Sequence, residues 1–169
     1  MASRQFFDPV VALRAAPLVS ATCTLLYAWD QHLFLSVLNQ PSTRQHSRPI
    51  LSPYWKALFP KGLSMVLGFI TVTSSASAAN LYAHGPVLRL RQSYWWYVAG
   101  AALSLSHLLF VPFVAPPLEK IMEPSAQDGE VDPNAELERW LSVNALRSVT
   151  VDFAAWVAVG VAVLKSLTA

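Results

Sequence analysis

The chain has 169 residues, 54% hydrophobic and only 13% charged, with a formal net charge of +2; an ordinary soluble domain carries about twice that charged share. So small a positive charge, with no basic run, argues against a nucleic-acid partner. The single cysteine, Cys23, excludes an internal disulfide and any multi-cysteine metal site, and with it iron–sulfur and structural zinc chemistry.

Crossing the hydrocarbon core of a bilayer takes about 20 consecutive, mostly apolar residues in helical form. Four segments reach that length, at about 15–38, 62–83, 94–114 and 140–164. In lipid each backbone N–H and C=O must be satisfied within its own segment, so helix is the state such runs adopt. The pattern predicts an all-α, up-and-down bundle of four transmembrane helices, a single domain over residues 1–169 with both termini on one side of the bilayer. The first span has Pro17 near its start, where a missing N–H is harmless. Its length, with Trp29, Asp30 and His32 near its end, argues against a cleaved signal peptide.

Residues 39–61 are polar and proline-bearing, with Arg44, Arg48, Lys56 and Lys61. Tyr54, Trp55 and Phe59 precede the second span as interfacial rings, and the small residues at 74–79 let a neighbouring helix come close. The third span opens on Tyr94, Trp95, Trp96 and Tyr97. After it, residues 116–139 are acidic, with Glu119, Glu123, Asp128, Glu130, Asp132, Glu136 and Glu138. In an up-and-down bundle this segment lies on the same side as 39–61, so their opposite charges attract. The fourth span opens on Trp140. Lysine and arginine divide nearly evenly between the two sides, with Arg4, Arg14, Arg89, Arg91 and Lys165 on the side of the termini, so charge gives no orientation.

Ionisable groups inside a span cost several kcal/mol unless paired, which makes each one a candidate functional residue. The candidates are Asp30, His107, Arg147 and Asp152, accompanied by Asn144. Asp30, His107 and Arg147 each lie eight residues from a span end on the long-loop side, roughly 12 Å deep at 1.5 Å per residue, and so share one layer. Trp140, Asn144, Arg147 and Val151 fall on one helix face, as do Gly100, Ser104, His107 and Val111, and Cys23, Tyr27, Asp30 and Phe34. Gly100 is a close-packing point. Asp152 lies about 140° around an ideal helix from Arg147, which leaves Asp30 as the expected partner of that cation. Two readings of the pair stand side by side: charges that neutralise each other to fix assembly, or members of a site. A metal site needs several converging ligands, and His107 with Asp30 is half of one, so no metal is expected.

No Gly-rich phosphate loop, nucleotide fingerprint, HExxH or GxSxG occurs, so no cofactor is expected from motifs. Polarity gathers in one half of the bundle, which suits a closed pocket better than a pore. The stretch Trp140-Leu-Ser-Val-Asn144-Ala-Leu-Arg147 resembles the W-x3-N-x2-R signature of the anthrone oxygenase-like family, small four-helix membrane proteins of fungal polyketide pathways. The aromatic start of the third span (Tyr94, Trp95, Trp96), its Val111-Pro112-Phe113 exit and the acidic segment after it are similar too. At 113–117 this chain has Phe-Val-Ala-Pro-Pro where the family commonly has threonine and a Thr-Asn pair, so the resemblance carries the fold further than the substrate.

The resemblance implies an enzyme of the endoplasmic reticulum or another endomembrane that oxidises the activated methylene of a lipophilic, aromatic anthrone with dioxygen and no cofactor. His107 would be the base, with Asp30 orienting it or standing in for it. Arg147 and Asn144 would hold the oxyanion, with Trp29, Tyr27, Ser104 and Trp140 around the rings. The alternatives are the same architecture used for cyclisation, isomerisation or decarboxylation, and a non-catalytic membrane scaffold. Association with further copies of itself stays open.

Overall fold

The computed structural model describes residues 8–123 and 131–168; Arg4, Asp128 and Glu130 lie outside the described residues. Seven α-helices occur among them: α1 Pro9–Ser36, α2 Arg44–Ser47, α3 Leu51–Leu90, α4 Tyr94–Ser106, α5 Val111–Met122, α6 Pro133–Arg147 and α7 Phe153–Leu167. A 3₁₀ turn, His107–Phe110, joins α4 to α5, and a π-helical turn, Ser148–Asp152, joins α6 to α7. With these joins the chain has four helices long and apolar enough to cross a membrane: Pro9–Asn39, Leu51–Leu90, Tyr94–Met122 and Pro133–Leu167. α1 packs on α3 and α7, α4 packs on α3 and α7, and α5 packs on α6. Each span therefore lies against the spans next to it in an all-α, up-and-down bundle, and α1 begins at the end where α7 finishes.

The helices outrun the apolar runs. Asp8 caps α1, its carboxylate accepting from the N–H groups of Val10 and Val11 with Pro9 in the first turn. Asp132 does the same for α6, accepting from the Asn134 N–H ahead of Pro133. Aspartate before proline is a favoured helix opening. Much of the segment expected as polar loop at 39–61 is thus helix, and so is part of 116–139.

Pro17 consequently sits in the interior of α1, not at its start. There a proline deprives the carbonyl four residues earlier of its N–H donor. That carbonyl, Leu13 O, accepts instead from Nδ2 of Asn80 on α3 at 2.7 Å. α1 and α3 also meet where the Ser20 hydroxyl donates to Phe69 O at 2.9 Å, and Ser77, within the small-residue stretch, is fully buried. Gly100 faces Val159 so closely that a Cβ there would overlap its side chain.

At the long-loop end the two connecting segments clasp each other. Asn134 Nδ2 donates to Asn39 Oδ1 at 2.8 Å and to Ser47 Oγ at 2.9 Å, and Asn39 Nδ2 donates back to Asn134 O at 2.9 Å. Arg44 forms an ion pair with Asp132 at 2.7 Å, the attraction expected between the basic and acidic segments. Beneath the clasp Leu35, Leu51, Trp55, Leu118, Ile121, Leu137, Trp140 and Leu141 form an apolar core.

Two predictions follow from these contacts. Asn80→Leu removes the donor that replaces the missing proline N–H and lowers stability by about 1–3 kcal/mol. Adding Pro17→Ala restores a backbone donor to Leu13 and recovers part of that loss. Melting in detergent checks this, and a double variant no better than Asn80→Leu refutes it. The second concerns Asp132. Burial pushes its carboxyl up, but the hydrogen bond from Arg44, the Asn134 N–H and the charges of Arg44 and Arg48 outweigh that and hold it below the usual carboxylate value. A carboxylate with a depressed folded pKa adds stability above its unfolded pKa and loses it as pH falls through the folded one. Acidification from about pH 5 to pH 3 should lower the melting temperature of the wild type more than that of Asp132→Asn.

Candidate active site

Two helix irregularities meet at the centre of the bundle. Pro112 lacks the N–H that would bond Leu108 O in a regular helix; the Val111 N–H takes that carbonyl and the backbone tightens to a 3₁₀ turn beginning at His107. On the fourth span the Ser148 hydroxyl donates to Asn144 O at 2.7 Å and the Thr150 hydroxyl to Leu146 O at 2.6 Å. Such back-bonding loosens a helix, and the branched side chains at 149–151 crowd it further. The turn widens to π geometry over Ser148–Asp152.

Widening the turn brings residues five apart onto one face. Asp152 therefore lies beside Arg147, contrary to the ideal-helix angle that had separated them: Arg147 Nε donates to Asp152 Oδ2 at 3.1 Å. The other carboxylate oxygen, Oδ1, lies 2.8 Å from His107 Nδ1. Arg147 Nη2 donates to Asn144 Oδ1 at 2.6 Å, and Asn144 Nδ2 reaches Ala28 O on α1 at 3.5 Å. All four side chains are buried, with 0% of Asn144, 4% of Asp152, 5% of His107 and 6% of Arg147 exposed. An ionised carboxylate only accepts, so beside it the His107 Nδ1 donates, and in the neutral ring that arrangement leaves the lone pair at Nε2. Arginine and aspartate cancel, which keeps the buried cluster neutral overall.

His107 and Arg147 form the polar end of an apolar cavity of about 140 Å³, walled by Trp55, Trp140, Gln31 and aliphatic side chains of α3 and α5. Trp55 and Trp140 meet edge to face at 5.0 Å. Among the described residues neither His107 Nε2 nor Arg147 Nη1 has a protein partner, and neither is shut away from the cavity. A second pocket of about 380 Å³ adjoins it between α3 and α5, sharing Phe59, Leu63, Val111, Val114 and Leu118. A 150 Å³ cavity takes roughly one benzene ring, so a larger ligand extends into this second space.

The expected site residues divide accordingly. His107, Arg147, Asn144 and Trp140 come together as expected. Ser104 lies behind them, lining a void of about 10 Å³ with His107 and Asp152, space for about one water. Tyr27 approaches α3 at Gly62, where a Cβ would come within 2.9 Å of its hydroxyl. Asp30 does not pair with Arg147: it is exposed, and it makes no hydrogen bond or ion pair among the described residues. The span ends explain the error. His107 and Arg147 lie fifteen and fourteen residues inside their helices, Asp30 only nine. Trp29, 66% exposed, faces outward into a groove with Leu26, Val149 and Phe153 rather than into the cavity.

The residues missed as cavity walls were Trp55 and Gln31, and the pairing missed was that of Asp152, itself a candidate, with Arg147. The Ser-Val-Thr-Val run between Arg147 and Asp152 was the available signal for that pairing. No group of three His, Cys, Asp or Glu side chains suited to holding a metal occurs among the described residues.

Fold and site together define a helical membrane protein with a buried His–Asp–Arg–Asn network at the end of an apolar cavity. Compared with known proteins, the chain is 27% identical over 161 residues to the epoxidase pydX of Acremonium sp., covering 94% of this chain and 96% of that protein. It is 28% identical to the probable epoxidase scpX of Mollisia scopiformis, covering 92% and 96%. It is 26% identical to the epoxidase gkaX of Penicillium citrinum, covering 86% and 88%. No family model matches the chain, and no solved structure does.

Stability tests the network directly. Asp152→Asn or Arg147→Gln alone leaves an uncompensated buried charge and costs about 3–5 kcal/mol, while the double variant costs less than the sum. Asp30→Asn combined with Arg147→Gln should be additive. Unfolding in detergent distinguishes the pairs, and coupling of Arg147 to Asp30 instead of Asp152 would overturn the assignment.

Proposed function

We propose that this protein is a membrane-embedded oxygenase of fungal secondary metabolism, acting on a lipophilic, unsaturated or aromatic polyketide-like substrate. The observation that carries the reading is that His107 and Arg147, with Nε2 and Nη1 not engaged by protein groups, both line an apolar, tryptophan-walled cavity. The full-length likeness to proteins named epoxidases supports oxygen transfer over the scaffold reading.

In this mechanism His107 Nε2 takes a proton from a carbon acidified by a neighbouring carbonyl or ring. Asp152 orients the imidazole and steadies the imidazolium that forms, the logic of a histidine–carboxylate pair. Such a base contributes about 10²–10⁴-fold. The electron-rich anion reduces dioxygen and forms a C–O bond, giving a peroxide anion that recovers the proton from His107. Arg147 Nη1 stabilises first the enolate and then the peroxide, with its own position held by Asp152 and Asn144. Loss of water from a hydroperoxide at a methylene leaves a ketone, the outcome the anthrone resemblance implies. Where a double bond lies within reach, the distal oxygen passes to it, leaving an epoxide and a hydroxyl. One site thus accommodates both oxidations, with the substrate deciding between them. The setting is an endomembrane such as the endoplasmic reticulum.

Protein purified in detergent after chelator treatment, with no added cofactor, should consume dioxygen when given an anthrone and incorporate labelled oxygen into the product. His107→Ala should lose most of the rate, about 10²–10⁴-fold, while remaining folded. Arg147→Lys should also be poor, because a point charge replaces a planar fork of donors. Activity that disappears with chelator and returns with iron or copper would reassign His107 and Asp152 as metal ligands. His107→Ala indistinguishable from wild type in the producing pathway would favour a scaffold.

A further inference from the structure

The end of the bundle opposite the clasp has a different character. α3 closes there in a tight turn: the Ser93 N–H reaches back to Leu88 O at 2.9 Å and the Gln92 N–H to Arg89 O at 3.0 Å. Gln92 takes the left-handed conformation, φ 54°, that this helix-ending motif requires and that glycine usually supplies. The turn holds Arg89 and Gln92 against the opening of α4. The Arg89 guanidinium lies 3.8 Å from the centre of the Tyr94 ring and 6.0 Å from that of Trp95. With Gln92, Trp96 and Lys165, the last from the final turn of α7, these side chains line an open pocket of about 400 Å³.

The charge balance here is one-sided. Arg14, Arg89, Arg91 and Lys165 gather at this end, and among the described residues none of them pairs with a carboxylate. Arg14 and Arg91 both donate to the single carbonyl Ser166 O at 2.7 Å, which neutralises neither. Asp8 is engaged as the cap of α1. A stacked guanidinium keeps its edge N–H groups free for an oxyanion, and Lys165 adds a point charge to the same pocket. Trp95 is 68% exposed, and exposed tryptophans at a span end settle at headgroup depth. Beside the pocket Leu90 and Leu164 are exposed, an apolar flank for acyl chains.

We propose that Arg89, Gln92 and Lys165 bind the phosphate of an anionic phospholipid headgroup, with Tyr94, Trp95 and Trp96 as its rim. Two cations without a carboxylate partner favour a lipid of net negative charge over a zwitterionic one, whose own ammonium meets no acceptor here. This site is separate from the His107 cavity and independent of the reaction carried out there.

The test uses the full chain in a neutral detergent, with phosphatidic acid or phosphatidylserine added, followed by native mass spectrometry and thermal melting. The expected result is a discrete one-to-one adduct and a raised melting temperature with the anionic lipids. Neither should appear with phosphatidylcholine at the same ratio or with sodium phosphate at matched concentration. Arg89→Gln with Lys165→Gln should weaken retention roughly 30-fold, the loss of two headgroup charges. Lys56→Gln, at the opposite end, should retain the lipid as wild type does. Equal retention of phosphatidylcholine, an equal shift from phosphate alone, or undiminished binding by the folded double variant would overturn the proposal.

Discussion

A carboxylate buried inside a membrane bundle is stable only where both of its oxygens face groups that favour negative charge, and Asp152 meets this condition from two helices at once. His107 on the third span and Arg147 on its own span each take one oxygen. This shared carboxylate locks together the depth of two helices, the tautomer of the histidine and the direction of the guanidinium. Asn144 completes the hold on Arg147 and reaches toward a third helix at Ala28. With the orienting bonds all made within the protein, His107 Nε2 and Arg147 Nη1 are left over, and both residues line one cavity. Neutrality of the cluster as a whole makes so much buried polarity affordable where water is scarce.

The site stands where two helices depart from regular geometry, and each departure has a local chemical cause. Pro112 withholds a donor and tightens the backbone just below His107. Ser148 and Thr150 divert to carbonyls in the turn before them, and the fourth span widens by one residue. Elsewhere the same kind of defect is repaired by a side chain: the carbonyl orphaned by Pro17 accepts from Asn80 across the helix interface. Irregularity alone therefore does not mark the site. What marks it is that two irregularities occur at one depth, facing one cavity, with titratable groups at both.

That cavity is nearly all apolar away from His107 and Arg147, and it adjoins a larger pocket between α3 and α5. Gly62 contributes by absence, since any side chain there would push against Tyr27 on the neighbouring helix beside the cavity wall.

Four spans, their order, the attraction between the connecting segments and the packing role of Gly100 were legible in the amino-acid sequence, because each rests on composition or on periodicity along one helix. His107, Arg147, Asn144 and Trp140 were legible for the same reason: polar or interfacial side chains in an apolar run stand out without knowledge of their neighbours. Their partner was not. Ideal helix geometry turned Asp152 away from Arg147, and only the π turn, a product of hydroxyl back-bonding and crowding at 148–152, rotates it into place. The shared layer failed because hydropathy marks where residues are apolar, whereas the Asp132 cap of α6 and the continuation of α5 to Met122 decide where helices end and set Arg147 and His107 deeper than Asp30. Which nitrogen faces the cavity and which tryptophan lines it are likewise tertiary facts, since both depend on groups brought together from different spans.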